Sequence, residues 1–334
     1  MNQGTEALPV ARLDRIPLAL IPLIALAALP LIPSLPTWVT LTVAGLAMGM
    51  MIFIMASGLT LVFGLMDVMN FAHGAFITIG AFVATSVLLP LAAWTRADSL
   101  WLNLAALLLA VLAAMAVAGE LGLAFERVII KPVYGQHLKQ ILITMGGLIV
   151  AEQLILVIWG PDLITLPKPA TLRGSFIYGD IAIEKYRVLA VLVGLAVFAA
   201  MFFVLSRSRV GLLIRAGVED SEMVQALGYR IRRVFIGVFA AGSALAGLGG
   251  VMWALYQETV TSAMGMQVMI LIFIVIIIGG LGSVGGCFIG ALLVGLVANY
   301  VGFLAPKIAL GSNILLMVLI LLWRPQGLYP VARR

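Results

Sequence analysis

Apolar residues fill long runs along this chain, and polar residues gather in the short gaps between them. A helix needs roughly 20 apolar residues to cross a hydrocarbon core. On that criterion the runs 16–33, 39–66, 74–93, 101–125, 141–159, 188–205, 234–256, 265–280, 286–304 and 309–323 are candidate spans. The pattern predicts an all-α polytopic integral membrane protein, one transmembrane domain of about ten helices over 1–334. The run at 265–280 is short. Prolines at 17, 22, 30 and 33 predict a first span that is irregular or packs peripherally. That run follows Arg12 and Arg15 and contains Ala25-Leu26-Ala27, as a signal peptide does. A retained span is the expectation, because a multi-spanning protein needs no cleaved signal.

The charge distribution orients these spans. Of the 334 residues, 63% are hydrophobic and 10% charged, where a soluble domain carries about a quarter charged. Membrane lipid is therefore the main solvent. With the N-terminus in the cytoplasm, 67–73, 126–140, 206–233, 281–285 and the tail from 324 fall inside. They carry Arg127, Lys131, Lys139, Arg207, Arg209, Arg215, Arg230, Arg232, Arg233 and Arg324. The outside loops hold fewer basic residues, offset by Asp98, Asp162, Asp180 and Glu184. The positive-inside rule then places both termini in the cytoplasm. The net charge of +6 reports these loops. The Arg230–Arg232–Arg233 cluster has no interleaved aromatic platform, so no nucleic-acid partner is expected. The single Cys287 excludes an internal disulfide, and two histidines, His73 and His137, leave little for a metal. No cofactor is expected.

Two loops are long. Residues 160–187 lie outside, with Pro161, Pro167, Pro169, Gly174 and Gly179, and predict an irregular cap or short hairpin. The inside loop reads SRSRVGLLIRAGVEDSEMVQALGYRIRRV over 206–234. Asp220 can cap a helix, with Glu222 favoured in its first turn. Met223, Ala226 and Leu227 form one apolar face, and Gly228 stops the helix. A helix of about two turns is not stable alone in water. The segment is either an ordinary basic loop with local helix or a lever docked on a cytoplasmic ATPase. The chain has no G-x-x-x-x-G-K-[S/T] loop of its own.

Two polar or glycine-rich breaks interrupt the apolar pattern. GLMDVMNFAHGAF, residues 64–76, brings Asp67, Asn70, His73 and Gly74 between two spans. A charge at the bilayer centre costs roughly 2.5–3.5 kcal/mol on insertion scales, so Asp67 does not face lipid. Either the segment is a cytoplasmic helix–helix turn with Asn70 as a cap, or it is non-helical backbone buried in protein and lining a pathway. In the second case the helix N-terminus near Gly74 favours a carboxylate. The second break, GGLGSVGGCFIG over 279–290, formally matches a dinucleotide fingerprint at Gly280, Gly282 and Gly285. It follows an apolar helix, and no Asp or Glu occurs after Glu258 to hold a ribose, so the match is rejected. Gly282/Gly286, Gly286/Gly290 and Gly45/Gly49 instead read as G-x-x-x-G pairs, for static packing or for sliding. Glu120 is expected to snorkel or pair with Arg127, and Glu152 to face the bundle interior or an aqueous cavity.

Four stretches together resemble a known family. GLLIRAGVEDSEMVQALGYRIRRV, GLTLVFGLMDVMNFAHGAF (58–76), GGLGSVGGCFIGALLVG (279–295) and RPQGL (324–328) are similar to the bacterial branched-chain amino acid (Liv-type) ABC transporter permeases, and within them to the H-type subunit. The resemblance implies a bacterial inner-membrane importer subunit with no catalysis of its own. It implies a heterodimer with a second related permease subunit, two cytoplasmic ATPase subunits and a periplasmic substrate-binding protein. Arg215, Glu219, Asp220, Glu222, Met223, Leu227 and Gly228 are the expected coupling residues. Asp67, Asn70, His73, Gly74, Glu152, Gly282 and Gly286 are the candidate pathway. Branched-chain amino acids are the implied substrate, with urea, short amides and small organic acids as alternatives. An ion-coupled secondary transporter is the rival class. It calls for a chain of mid-span carboxylates, for which Glu152 alone is a fair candidate.

Overall fold

The computed structural model describes residues 16–219 and 221–330. The described chain opens with α1 (Ile16–Ala28), which runs through Pro22, then α2 (Leu35–Met66), α3 (His73–Leu88), the short α4 (Ala92–Arg96), α5 (Leu100–Phe125) and α6 (His137–Trp159). The strands β1 (Ile164–Thr165), β2 (Ser175–Tyr178) and β3 (Ile181–Glu184) follow. Next come α7 (Lys185–Arg207), α8 (Arg209–Glu219), α9 (Ser221–Ala226) and α10 (Ile231–Gln257). The chain ends through β4 (Thr259–Val260), α11 (Met264–Gly279), α12 (Val284–Leu304) and α13 (Ala309–Trp323). Each of the ten apolar runs forms a helix. Six of these are long and apolar enough to cross a membrane, and α1, α3, α11 and α13 are shorter.

Local chemistry sets the helix ends. Ser34 and Ser283 cap α2 and α12 by accepting the amides of Thr37 and Gly286. Asp67 stops α2 in the left-handed region, at φ 52°. Gly280, at φ 97°, ends α11 and lets the chain turn into α12.

α2 and α10 form the hub. α2 packs on α7, α10, α11 and α12, while α10 packs on α2, α3 and α5. In lipid no hydrophobic effect drives helices together, so close backbone approach does more of the work. A Cβ at Gly49 would lie 2.7 Å from the Ala291 carbonyl oxygen of α12, so glycine is required at that crossing. α5, α6 and α7 turn exposed apolar residues outward, among them Leu108, Leu142, Val157, Leu192 and Phe202. α1 packs on α12 at the rim.

On the outer side, β2 and β3 form an antiparallel hairpin, and β1 pairs with β4. This ties the 160–184 loop to the segment after α10. Lys168 bridges Glu184 and, at 3.1 Å, Glu258. Burial pulls the Lys168 pKa down, but the two carboxylates outweigh it and hold the ammonium above its ordinary value. The buried Tyr186 hydroxyl donates to the Met252 carbonyl at 2.6 Å. On the inner side, RPQGL returns as a strap: the Leu328 and Tyr329 amides donate to the carbonyls of Ile278 and Gly279 at the end of α11.

Three features differ from the expectations. The inside loop carries the eleven-residue α8 ahead of the short segment, because Val210, Leu213 and Ile214 recur at i, i+3 and i+4 among the arginines. Gly282 is not helical: it sits in the α11–α12 turn at φ 81°, so Gly282 and Gly286 do not form a pair on one helix face. Of the two alternatives for Glu120 only the pairing fails: the residue is exposed, as a snorkelling side chain is, and makes no ion pair with Arg127.

Candidate functional site

Residues 67–72 are neither helix nor a simple surface turn. The first residue of α3, His73, is fully buried, and its Nε2 lies 2.8 Å from the Met55 carbonyl. Met55 is eleven residues before the end of α2, about 16 Å of helix rise. The Phe71 amide donates at 3.2 Å to Thr144 Oγ1, seven residues into α6, about 10 Å of rise. The chain therefore leaves α2 at its inner end, turns back into the bundle as irregular backbone, and starts α3 at depth. Such backbone survives at membrane depth only where protein surrounds it.

A second segment does the same from the other end. α2 and α10 run antiparallel: Gly58 meets Gly242, and Met55 meets Gly249. Their C-terminal ends thus lie at opposite ends of the bundle. Residues 258–263 lead back from the outer end of α10 and start α11 at Met264. Gly265 of α11 packs directly on Gly74 of α3. Thr78 Oγ1 clasps the two helices, donating to the Gly74 carbonyl at 3.1 Å and accepting the Gly265 amide at 2.9 Å. α3 and α11 have 16 residues each, about 24 Å, short of a roughly 30 Å core. They are shortened spans that enter from opposite faces and meet at their N-termini.

The sequence-expected pathway residues fall into three places. Asn70, His73 and Gly74 come together at this crossing. Asn70 Oδ1 and His73 Nδ1 are buried without a hydrogen-bond partner in the protein. Because a carbonyl only accepts, His73 Nε2 carries the proton given to Met55. Asn70 does not cap α3 through its side chain; only its carbonyl is used, by the His73 amide. Phe71 packs at a tilt against Phe273 of α11, with ring centres 4.9 Å apart. Asp67 lies at the inner end, half exposed, 3.8 Å from His137. Gly282 packs on Gly64, and Gly286 on Gly279, at the same end. Glu152 is half-buried on α6, apart from the others, with no ion pair among the described residues. Sequence reasoning missed Thr78 and Thr144, whose hydroxyls hold the crossing.

In the inside loop, Asp220 and the side chains of Arg215, Glu219 and Glu222 lie outside the described residues. Met223, Ala226 and Leu227 are exposed, while Val224 and Ile214 turn inward. Gly228, at φ 85°, ends the segment before α10. The exposed apolar face therefore points away from the bundle.

The family model for the branched-chain amino acid transport system permease component matches residues 41–323. The high-affinity branched-chain amino acid transport system permease protein BraD of Pseudomonas aeruginosa is 28% identical over 306 residues, covering 89% of this chain and 97% of that protein. The LivH permease protein of the corresponding Escherichia coli K12 system is 26% identical over 291 residues, 85% of this chain and 92% of its own length. The E. coli K12 LivM permease protein matches a shorter stretch, 30% identical over 159 residues, 46% of this chain and 36% of LivM. No solved structure matches the chain.

Proposed function

The chain belongs to the branched-chain amino acid transport permease family, and from that premise we propose that it imports branched-chain amino acids across a bacterial inner membrane. It pairs with a second, related permease, is driven by two cytoplasmic ATPases and is fed by a periplasmic binding protein. Its similarity both to LivH over most of its length and to part of LivM supports a partner of the same kind. The chain supplies no hydrolysis of its own.

The observation that carries the reading is the head-to-head meeting of α3 and α11. Two helix N-termini converge inside an apolar bundle, each with a partial positive charge. That field suits the carboxylate of an amino acid. The bare acceptors Asn70 Oδ1 and His73 Nδ1 suit its ammonium, and Phe71, Phe273 and Met269 beside the crossing suit an aliphatic side chain. Because α3 and α11 belong to opposite re-entrant segments, separating them at Gly74/Gly265 opens the site. The exposed face of Met223 and Leu227 is the handle through which the ATPases do this.

Purification of the tagged chain from its native membrane tests the reading. The ATPases and a second permease should co-purify, and leucine uptake into proteoliposomes should need ATP and the binding protein. Uphill uptake by the chain alone on an ion gradient would overturn it.

A further inference from the structure

At the cytoplasmic end of the bundle a cavity of ≈ 640 Å³ opens between the turn after α5 and the start of α10. Arg127, Lys131, Arg230, Arg232 and Arg233 converge on it. All five are exposed, and among the described residues none is ion-paired with a carboxylate. The adjacent Glu126 is fully buried and accepts the Tyr134 hydroxyl at 3.0 Å. Burial and that carboxylate raise the Tyr134 pKa, so the phenol keeps its proton and Glu126 stays engaged below the cluster. Five cations around one concavity repel each other unless an anion lies between them.

The surroundings identify the kind of anion. Leu121, Ala124 and Val128 are exposed at helical spacing along the last turns of α5 and the turn that follows, so they form an apolar strip running down to Arg127. Ile231 and Ile236 line the cavity itself. A soluble anion uses the cations but not the strip, whereas a lipid uses both. Basic pockets at the cytoplasmic membrane boundary take anionic headgroups. We propose that this cavity binds the phosphodiester headgroup of an anionic phospholipid, with an acyl chain along the α5 strip. Gln225 and Gly228 also border the cavity, so the bound lipid braces the root of the segment that carries Leu227.

The assembled transporter, exchanged into nanodiscs of equal dioleoylphosphatidylglycerol and dioleoylphosphatidylcholine, provides the test. After release, native mass spectrometry should find phosphatidylglycerol retained over phosphatidylcholine by on the order of tenfold. The R127Q/R232Q/R233Q variant should lose that preference, and Lys307→Gln, at the opposite end, should keep it. A photoactivatable phosphatidylglycerol on the unaltered protein covers the case in which the triple variant does not fold, and it should label 121–131 or 228–236. Equal retention of the two lipids, or label elsewhere, overturns the proposal. Displacement of the label by millimolar inorganic phosphate would make the cavity a free-anion site. Cross-linking of an Arg232→Cys variant to the ATPase, with no lipid preference, would make the occupant a protein carboxylate surface.

Discussion

His73 holds together what the local sequence separates. Its Nε2–H donates to Met55 on the preceding helix, and its ring stands where α3 begins and Gly74 meets Gly265. Replacing it with leucine removes that donor and should cost about 1–2 kcal/mol, read as a lower melting temperature in detergent. Leucine uptake should fall several-fold, and glutamine, which keeps a donor, should restore part of it. Gly265→Ala tests the crossing itself. A Cβ there runs into the Gly74 carbonyl and the Thr78 hydroxyl, and the overpacking should cost about 1–3 kcal/mol. Gly285→Ala, with nothing within 4 Å, should stay within about 0.5 kcal/mol. Asn70 and His73 were legible as candidates because polar side chains are costly in an apolar run. Thr78 and Thr144 were not, because a threonine in a span ordinarily bonds its own helix at i−4, as Thr144 also does to Gln140.

Among the elements, the shortened spans and the inside loop differ in how they could be read. The apolar run after His73 looks like a full span, since 74–93 contains enough apolar residues. The structure ends α3 at Leu88 and begins it at depth, and nothing local to the run says where along the membrane normal it starts. The second short segment was visible through Gly228 and the spacing of Met223 and Leu227. α8 was hidden because arginines masked its apolar face. Leu227 is 70% exposed, so Leu227→Glu should leave the fold intact while removing the apolar handle proposed for the ATPases. Uptake should drop on the order of tenfold, with ATP hydrolysis continuing. Asp220→Lys should act in the same direction. Normal uptake in both variants would remove the lever from the mechanism.

For the whole molecule, the outer clasp joins parts of the chain far apart in sequence. Lys168, with little of its side chain exposed, meets Glu184 and Glu258, and so fixes the 160–184 loop over the start of the outer re-entrant segment. Lys168→Met should destabilise the protein by about 1–3 kcal/mol, the exposed Glu258 keeping it at the modest end. The Lys168 pKa is raised in the folded state. The clasp therefore contributes fully below the ordinary lysine value of 10.5 and is lost as pH rises past it. The melting difference between the native chain and Lys168→Met should be constant from about pH 7 to 9 and shrink above that.

Runs of apolar residues, their lengths and the placing of arginines decided by themselves that this chain is a helical membrane protein with about ten apolar helices, because lipid accepts few other patterns. The glycine and polar breaks marked where the pattern fails. Only the tertiary structure decided what the breaks do. The polar break turns inward from the α2 side, and residues 258–263, which no break in the pattern announced, turn inward from the α10 side, so that α3 and α11 meet at Gly74 and Gly265, while the glycine break at 279–290 is the turn between α11 and α12. Depth in the membrane and contact between residues nearly 200 positions apart depend on the packing of α2, α3, α10 and α11 as a set, and no single segment encodes that.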